Sequence, residues 1–304
     1  MDALPPARRL RAPAKVNLAL HVTGRRGDGY HLLDSLVVFA KAGDELAIRP
    51  GTGTDDRVSV RGPFAAQVPE GRDNIVARAV DAARRVLRAA GRDLPPLDVT
   101  LDKRLPVASG IGGGSADAAA VLAYAGDHAP ACRAALAEAG LALGADVPMC
   151  LAGRPCRVRG IGEIVEPLAA MPQLPLLLAN PGIAVSTPAV FRGLAQRENP
   201  PLPDLPAAGF SSPAELAAYL RATRNDLEAA ALALAPDIAR VTDALLGEGA
   251  LFARMSGSGA SVAALFGTAQ AASAARAALA ARHPGWWLCE SEPALSPSRI
   301  GATA

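Results

Sequence analysis

The chain has 304 residues, 50% hydrophobic and 20% charged, which is ordinary globular usage, excludes a disordered polymer and predicts two domains at about 150 residues each. Thirty-one basic against 29 acidic side chains leave a formal charge of +2. That balance excludes a broad basic footprint, so neither nucleic acid nor a membrane surface is expected as a partner.

In chain order, Ala14 to Val22 predicts a strand with Val16, Leu18 and Leu20 on one face and Lys15 and Asn17 on the other. On such a face Lys15 by itself reads as a solvated edge charge. The glycine-punctuated stretch Gly24-Arg-Arg-Gly-Asp-Gly29 is a loop ending at Tyr30-His31, and His31 has no partner at metal-ligand spacing. Ile75, Val76, Ala79, Val80, Ala83, Val86 and Leu87 recur at helical spacing, with Asp73 placed to cap the helix and Gly91 to end it. Its arginines Arg84, Arg85 and Arg88 read as a solvated face. Leu97, Val99 and Leu101 alternate as in a strand.

Gly110-Ile-Gly-Gly-Gly-Ser115-Ala-Asp117 then runs directly into an alanine-rich helix, Ser115 to Ala125. Glycines let backbone approach a ligand, and a helix start offers free N–H groups and a positive dipole end, so the pair predicts a phosphate site. No lysine follows the glycines, so this is not a P-loop; the glycine spacing is not that of a dinucleotide-binding fingerprint. Gly113-Gly-Ser115-Ala-Asp117 approaches a nucleophile elbow but ends in Asp. A second helix is expected over Ala131 to Ala139, and Asp146, before Val147-Pro148, by itself reads as an Asx-turn residue.

Gly153, Pro155 and Gly160 place a domain junction near residues 153–160, giving domains 1–157 and 158–304. Leu174 to Val185 is the longest apolar stretch, but Pro175 and Pro181 cut it well short of the roughly 18 residues of a membrane span. Four prolines between Pro200 and Pro206 exclude a helix or central strand. Ser212, Pro213 and Glu215 form a helix start, and Asn225 with Glu228 repeats the device. Ser256-Gly-Ser-Gly-Ala260, between strand-like Leu251 to Met255 and Val262 to Phe266, reads either as a tight β-turn or as a second backbone N–H nest. Cys132, Cys150, Cys156 and Cys289 make no C-x-x-C pair, which offers no zinc or dithiol motif and, without an apolar leader, predicts a cytoplasmic protein.

Taken together, Pro13-Ala-Lys-Val-Asn-Leu18, Gly27-Asp-Gly-Tyr-His31, Pro106-Val-Ala-Ser-Gly-Ile-Gly-Gly-Gly-Ser-Ala116, Gly144-Ala-Asp-Val-Pro148 and Ser256-Gly-Ser-Gly-Ala260 resemble the galactokinase, homoserine, mevalonate and phosphomevalonate (GHMP) kinases, in the expected order from Ala12 to about Phe266. The start with Gly-Tyr-His and Gly-Ala-Asp-Val-Pro is similar to the branch whose acceptor is a cytidine-diphosphate-linked methylerythritol. Two departures stand out: Met149-Cys150 where an aromatic often follows, and Ser109 where some members have glycine.

The resemblance implies an α+β protein of two domains, the first like ribosomal protein S5 domain 2 and the second ferredoxin-like, with the active site in the cleft between them. It implies ATP and Mg2+ as cofactors, phosphorylation of the acceptor's 2-hydroxyl in the non-mevalonate route to isoprenoid precursors, and a monomer or weak homodimer. Asp146 matches the catalytic base and Lys15 the lysine beside it. The loop Pro106, Val107, Ala108, Ser109, Gly110, Ile111, Gly112, Gly113, Gly114, Ser115 and Ala116 matches the phosphate holder, with Asn74 and Lys103 at the adenine pocket. Tyr30, His31 and Phe191 fall where cytosine is held, and Asn17 and Thr187 match polar substrate contacts. No protein metal ligand is implied. The alternatives are another GHMP kinase, of homoserine or mevalonate type, and a non-catalytic nucleotide-binding module; a serine hydrolase lacks the elbow's last glycine.

Overall fold

A computed structural model of the chain describes residues 6–293; the outermost ends of the two expected domains, residues 1–5 and 294–304, lie outside the described residues. The chain begins with a long antiparallel ribbon, β1 (Arg8–Arg25) and β2 (His31–Pro50). The turn between them needs glycine at position 29, where φ is +95°. It is closed by Arg26 N donating to Tyr30 O at 2.8 Å and Tyr30 N donating to Asp28 Oδ1 at 3.2 Å. The ribbon's register shifts between Pro13 and Lys15, Asn17 and Ala19, and Val22 and Gly24. Such bulges re-aim side chains, and here they flank Lys15 and Asn17, which are both buried. The expectation of a solvated Lys15 is therefore corrected.

Next come β3 (Arg57–Arg61), α1 (Ile75–Ala89) and β4 (Leu97–Asp102), whose strict alternation of buried and half-buried residues matches its sequence pattern. The cap of α1 is Asn74, whose Oδ1 accepts from Val76 N at 2.8 Å, and not Asp73, which lies in a preceding 3-10 turn. Gly91 ends the helix with φ +66°. Arg85 and Arg88 are exposed as expected, but Arg84 is half-buried, reaching Asp56 at 2.6 Å and the carbonyl of Leu94. Then follow α2 (Gly113–His128), α3 (Arg133–Leu143) and α4 (Val147–Ala152). The helix α2 is longer at both ends than its alanine run suggested. Its alanines Ala116, Ala118, Ala119, Ala120 and Ala125 are all buried against the face of α1 and the sheet, where small side chains permit close helix packing.

The strands β5 (Cys156–Gly160) and β6 (Ile164–Pro167) complete a six-stranded sheet in the order β3-β4-β2-β5-β6, with β1 on β2. The expected division at 157/158 falls inside β5, which pairs with β2 from Val37↔Cys156 to Leu33↔Gly160; we therefore propose a division after Pro167.

The second half runs β7 (Leu176–Asn180), α5 (Thr187–Arg192), α6 (Pro213–Arg221), α7 (Glu228–Leu234), α8 (Asp237–Gly247), β8 (Phe252–Met255), β9 (Val262–Leu265), α9 (Ala269–Arg282) and β10 (Trp287–Ser291). Its strands form an antiparallel sheet in the order β10-β7-β9-β8. With helices between the first and second strands and between the third and fourth, this is the ferredoxin-like βαββαβ arrangement. The two sheets and flanking helices make the protein α+β. Among the described residues no helix is long and apolar enough to cross a membrane.

Capping in this half was half legible. Ser212 Oγ accepts from Glu215 N at 3.2 Å, and Glu215 reaches back to Ser211 N at 2.8 Å. Asn225 caps the turn that leads into α7, which starts after Leu227: its Oδ1 accepts from Leu227 N at 3.0 Å, while its Nδ2 donates to the carbonyls of Met255 and Gly257, at 2.9 and 2.8 Å. The halves share a buried cluster in which Val16, Leu18, Leu36 and Val38 pack with Leu176, Leu178, Phe252 and Leu265. Backbone bonds from Leu20 N to Arg224 O and from Asp226 N to Leu20 O fasten the second half directly to β1.

Candidate active site

A cleft of about 940 Å³ opens between the two halves and is lined by β1, the glycine-rich loop, the start of α4, α5 and the loop after β8. At its centre Lys15 Nζ lies 3.1 Å from Asp146 Oδ2 and 2.7 Å from Asn17 Oδ1. The lysine side chain is 7% exposed and the aspartate 35%, so the carboxylate faces the cleft while the ammonium supports it from within. Asn17 Nδ2 donates to Ser35 Oγ at 2.7 Å, and that hydroxyl donates to Ala19 O at 2.6 Å. This chain of bonds holds the Asn17 carbonyl toward the ammonium.

The glycine-rich loop passes over this lysine. Gly112 has φ +62°, and a Cβ there would sit 2.5 Å from Lys15 Cγ. At Gly110, φ +78°, a Cβ would lie 2.3 Å from Ser256 O. Glycine is required at both positions, by backbone sign and by contact. The second small-residue cluster explains the tight fit at Gly110. Ser256 Oγ donates to Gly110 O and accepts from Asn17 N, both at 3.0 Å, and Ser261 N donates to Ser109 O at 3.0 Å. The loop after β8 therefore buttresses the first loop, while its Gly257 and Ser258 line the cleft. Ser258 Oγ also lies 2.7 Å from Thr187 Oγ1, at the first residue of α5.

Asn74 and Lys103 both line the cleft beside Val68, Pro69, Ile75 and Leu101. The ammonium of Lys103 is committed to Asp44 Oδ2 at 2.5 Å and Asp117 Oδ2 at 2.9 Å, beneath the start of α2. Burial opposes the charge on Lys103, yet the two carboxylates outweigh it and raise its pKa. Burial pushes the Asp117 carboxyl up to about 7 despite the pull of Lys103. Asp44 also receives Arg104 N and Leu105 N at 2.6 and 2.9 Å, whereas Asp117 Oδ1 has no partner among the described residues. Nothing in the local sequence announces Asp44 or Asp117 as partners; they meet through tertiary contact alone.

At the far end of the cleft the His31 ring stacks on Phe191, centroids 4.9 Å apart and planes 29° apart. Tyr30 stands beside them at the rim, 57% exposed. His31 Nε2 is buried without a partner among the described residues. Burial first, and then the charges of Arg25 and Arg197, hold this imidazole below its ordinary pKa, so it is neutral near pH 7. Arg25, Arg192 and Arg197, unannounced by any sequence motif, also line this end.

The family GHMP kinases N terminal domain matches residues 74–154, and GHMP kinases C terminal matches residues 203–285. Fold and site thus define the class: an ATP-using small-molecule kinase of the GHMP type. A 4-diphosphocytidyl-2-C-methyl-D-erythritol kinase of Paracoccus denitrificans is 52% identical over 296 residues, 97% of this chain and 100% of that one. The counterpart in Cereibacter sphaeroides is 53% identical over 282 residues, 91% of this chain and 96% of its own. A crystal structure of a 4-(cytidine 5'-diphospho)-2C-methyl-D-erythritol kinase superimposes with a TM-score of 0.74 at 34% identity, covering 94% of this chain and 99% of that one. A homoserine kinase from Cytophaga hutchinsonii shares the fold, with TM-score 0.69 at 19% identity and 98% coverage of both chains. The chain belongs to the 4-diphosphocytidyl-2-C-methyl-D-erythritol kinase family.

Proposed function

We propose that this protein transfers the γ-phosphoryl group of ATP to the 2-hydroxyl of 4-diphosphocytidyl-2-C-methyl-D-erythritol, with Asp146 as general base. The observation that carries the mechanism is the 3.1 Å contact between Lys15 and Asp146 in the cleft. An alcohol is barely ionised at neutral pH, so a carboxylate within hydrogen-bond reach takes its proton as the new P–O bond forms and the bond to the leaving ADP oxygen breaks. General-base help of this kind contributes about 10²–10⁴-fold. Lys15, held by Asn17, orients the carboxylate and offsets negative charge developing on the attacking oxygen.

The loop from Pro106 to Ala116 and the start of α2 cradle the triphosphate through backbone N–H groups, which the glycines leave uncovered. Adenine lies toward Asn74, Lys103 and the apolar side chains around them. The acceptor's polyol lies against Asn17 and Thr187, and its cytosine against Tyr30, His31 and Phe191, where flat rings give stacking worth about 1–3 kcal/mol per base. Among the described residues no three His, Cys, Asp or Glu side chains gather as a metal cage. The Ser115 hydroxyl nonetheless lines the cleft at the first turn of α2, an oxygen donor that would fit Mg2+, which binds through one or two side chains together with phosphate. When bound, Mg2+ neutralises charge on the phosphate oxygens.

A coupled assay of ATP consumption tests the reading. Turnover is expected with the cytidine-linked acceptor and not with mevalonate or homoserine. Asp146→Asn and Lys15→Ala are expected to fold normally and to lower kcat by about 10²–10⁴-fold. Wild-type turnover in purified Asp146→Asn would remove the mechanism.

A further inference from the structure

A base held at Tyr30 and Phe191 and a polyol held at Lys15 and Asp146 are joined, in this acceptor, by a ribose and a diphosphate bearing two negative charges. Three guanidinium side chains line the same cleft: Arg25 at the end of β1, Arg192 at the end of α5, and Arg197 in the loop beyond it. Among the described residues none of the three pairs with a carboxylate, and the one side-chain bond any of them makes is a long one from Arg25 Nε to Gly29 O, 3.3 Å. Their neighbour Arg26 differs, being paired with Asp28 at 2.7 Å. Arg25 and Arg197 come from segments far apart in sequence, yet both act on the His31 imidazole. They therefore converge at one end of the cleft.

Like charges gathered without counter-ions repel one another, and exposure to solvent is what makes the cluster tolerable. A dianion relieves that repulsion. Thr187 and Phe191 are one helical turn apart on α5 and both line the cleft, so the bridge between polyol and base passes along this helix. Arg192 follows Phe191 directly.

We propose that Arg25, Arg192 and Arg197 form the subsite for the acceptor's diphosphate linker, so that the protein reads the anionic bridge as well as the base. The subsite rests on the cytosine assignment made above. Guanidinium forks match phosphate oxygens with two parallel charge-assisted hydrogen bonds. Because the three side chains are exposed, the attraction is shared among them and screened by salt.

Calorimetric titration with cytidine, cytidine monophosphate and cytidine diphosphate tests this. A non-hydrolysable ATP analogue is kept at saturation so that the loop's own phosphate site is filled. Wild type is expected to bind the diphosphate about 100-fold tighter than cytidine at low salt, the equivalent of one or two charge-assisted hydrogen bonds, with a smaller ratio at high ionic strength. In Arg25→Gln/Arg197→Gln that ratio falls at least tenfold while cytidine itself binds as before; Arg25→Lys/Arg197→Lys retains most of it. An unchanged ratio in the glutamine variant overturns the subsite. So does a wild type that binds cytidine and its diphosphate equally, an outcome that leaves the cytosine assignment standing. If none of the three ligands binds wild type, the cytosine assignment fails and the subsite falls with it.

Discussion

Replacing Asp117 by asparagine removes the less well hydrogen-bonded of the two buried carboxyl groups beside Lys103. Asp117 is 1% exposed and shares the Lys103 ammonium with Asp44, which sits closer to it, at 2.5 against 2.9 Å. Asp44 has two backbone donors besides, while Asp117 Oδ1 has none among the described residues. Burial therefore lifts the Asp117 pKa from 3.8 to about 7, with Lys103 pulling it back and Asp44 pushing it further up. Between these two values the folded protein keeps a proton that the unfolded chain has released. Stability from this group is thus fully present below about pH 4 and is lost as pH rises through about 7. Each pH unit in that window corresponds to about 1.4 kcal/mol, so the two units from pH 5 to 7 give about 3 kcal/mol. Asparagine has the same shape and no proton to lose. Urea denaturation of both proteins at intervals from pH 5 to 8 measures the difference directly. Wild type is expected to lose about 3 kcal/mol relative to Asp117→Asn across that range. Parallel stability curves would refute the reasoning, because they would mean that one ammonium suffices for both carboxylates.

The same cluster predicts that Lys103→Met is destabilised by about 3–5 kcal/mol, since two buried carboxylates lose their shared cation. Thermal melts measure it, and the double variant with Asp117→Asn is expected to recover part of the loss; no recovery would argue against charge as the cause. Gly112→Ala combines positive-φ strain of about 1–2 kcal/mol with a Cβ aimed at Lys15 Cγ. Its kcat is expected to fall tenfold or more in a protein that still melts cooperatively, and wild-type turnover would show that Lys15 need not lie where it does. Tyr30→Ala should raise the acceptor KM about tenfold, the equivalent of one lost base–aromatic stack. ATP KM should barely move, and equal changes in both would count against the cytosine assignment.

Much of the scaffold is written in short-range pattern. The alternation over Leu97 to Leu101 became β4, the apolar stripe from Ile75 to Leu87 became α1, and the glycine run became the start of α2, because each depends on residues a few positions apart. Local capping was read less well. Asn74 outcompetes Asp73 for α1, and Asn225 caps the turn ahead of α7 and not the helix itself, its Nδ2 reaching the loop after β8, since which polar side chain meets a helix start depends on where the flanking chain goes. Lys15 and Asp146 are linked in the sequence only by the resemblance of their motifs; singly, one reads as a surface charge and the other as a turn residue.

Spacing along the chain was therefore enough to specify the helices, the strands and a phosphate-cradling loop, all of them products of local geometry. Burial of Lys15 by two bulges, its contact with an aspartate 131 positions away, the Asp44–Lys103–Asp117 cluster and the convergence of Arg25 with Arg197 were set by folding in three dimensions. Each joins groups from separate elements, and low dielectric and shared counter-charge act only once those elements have packed.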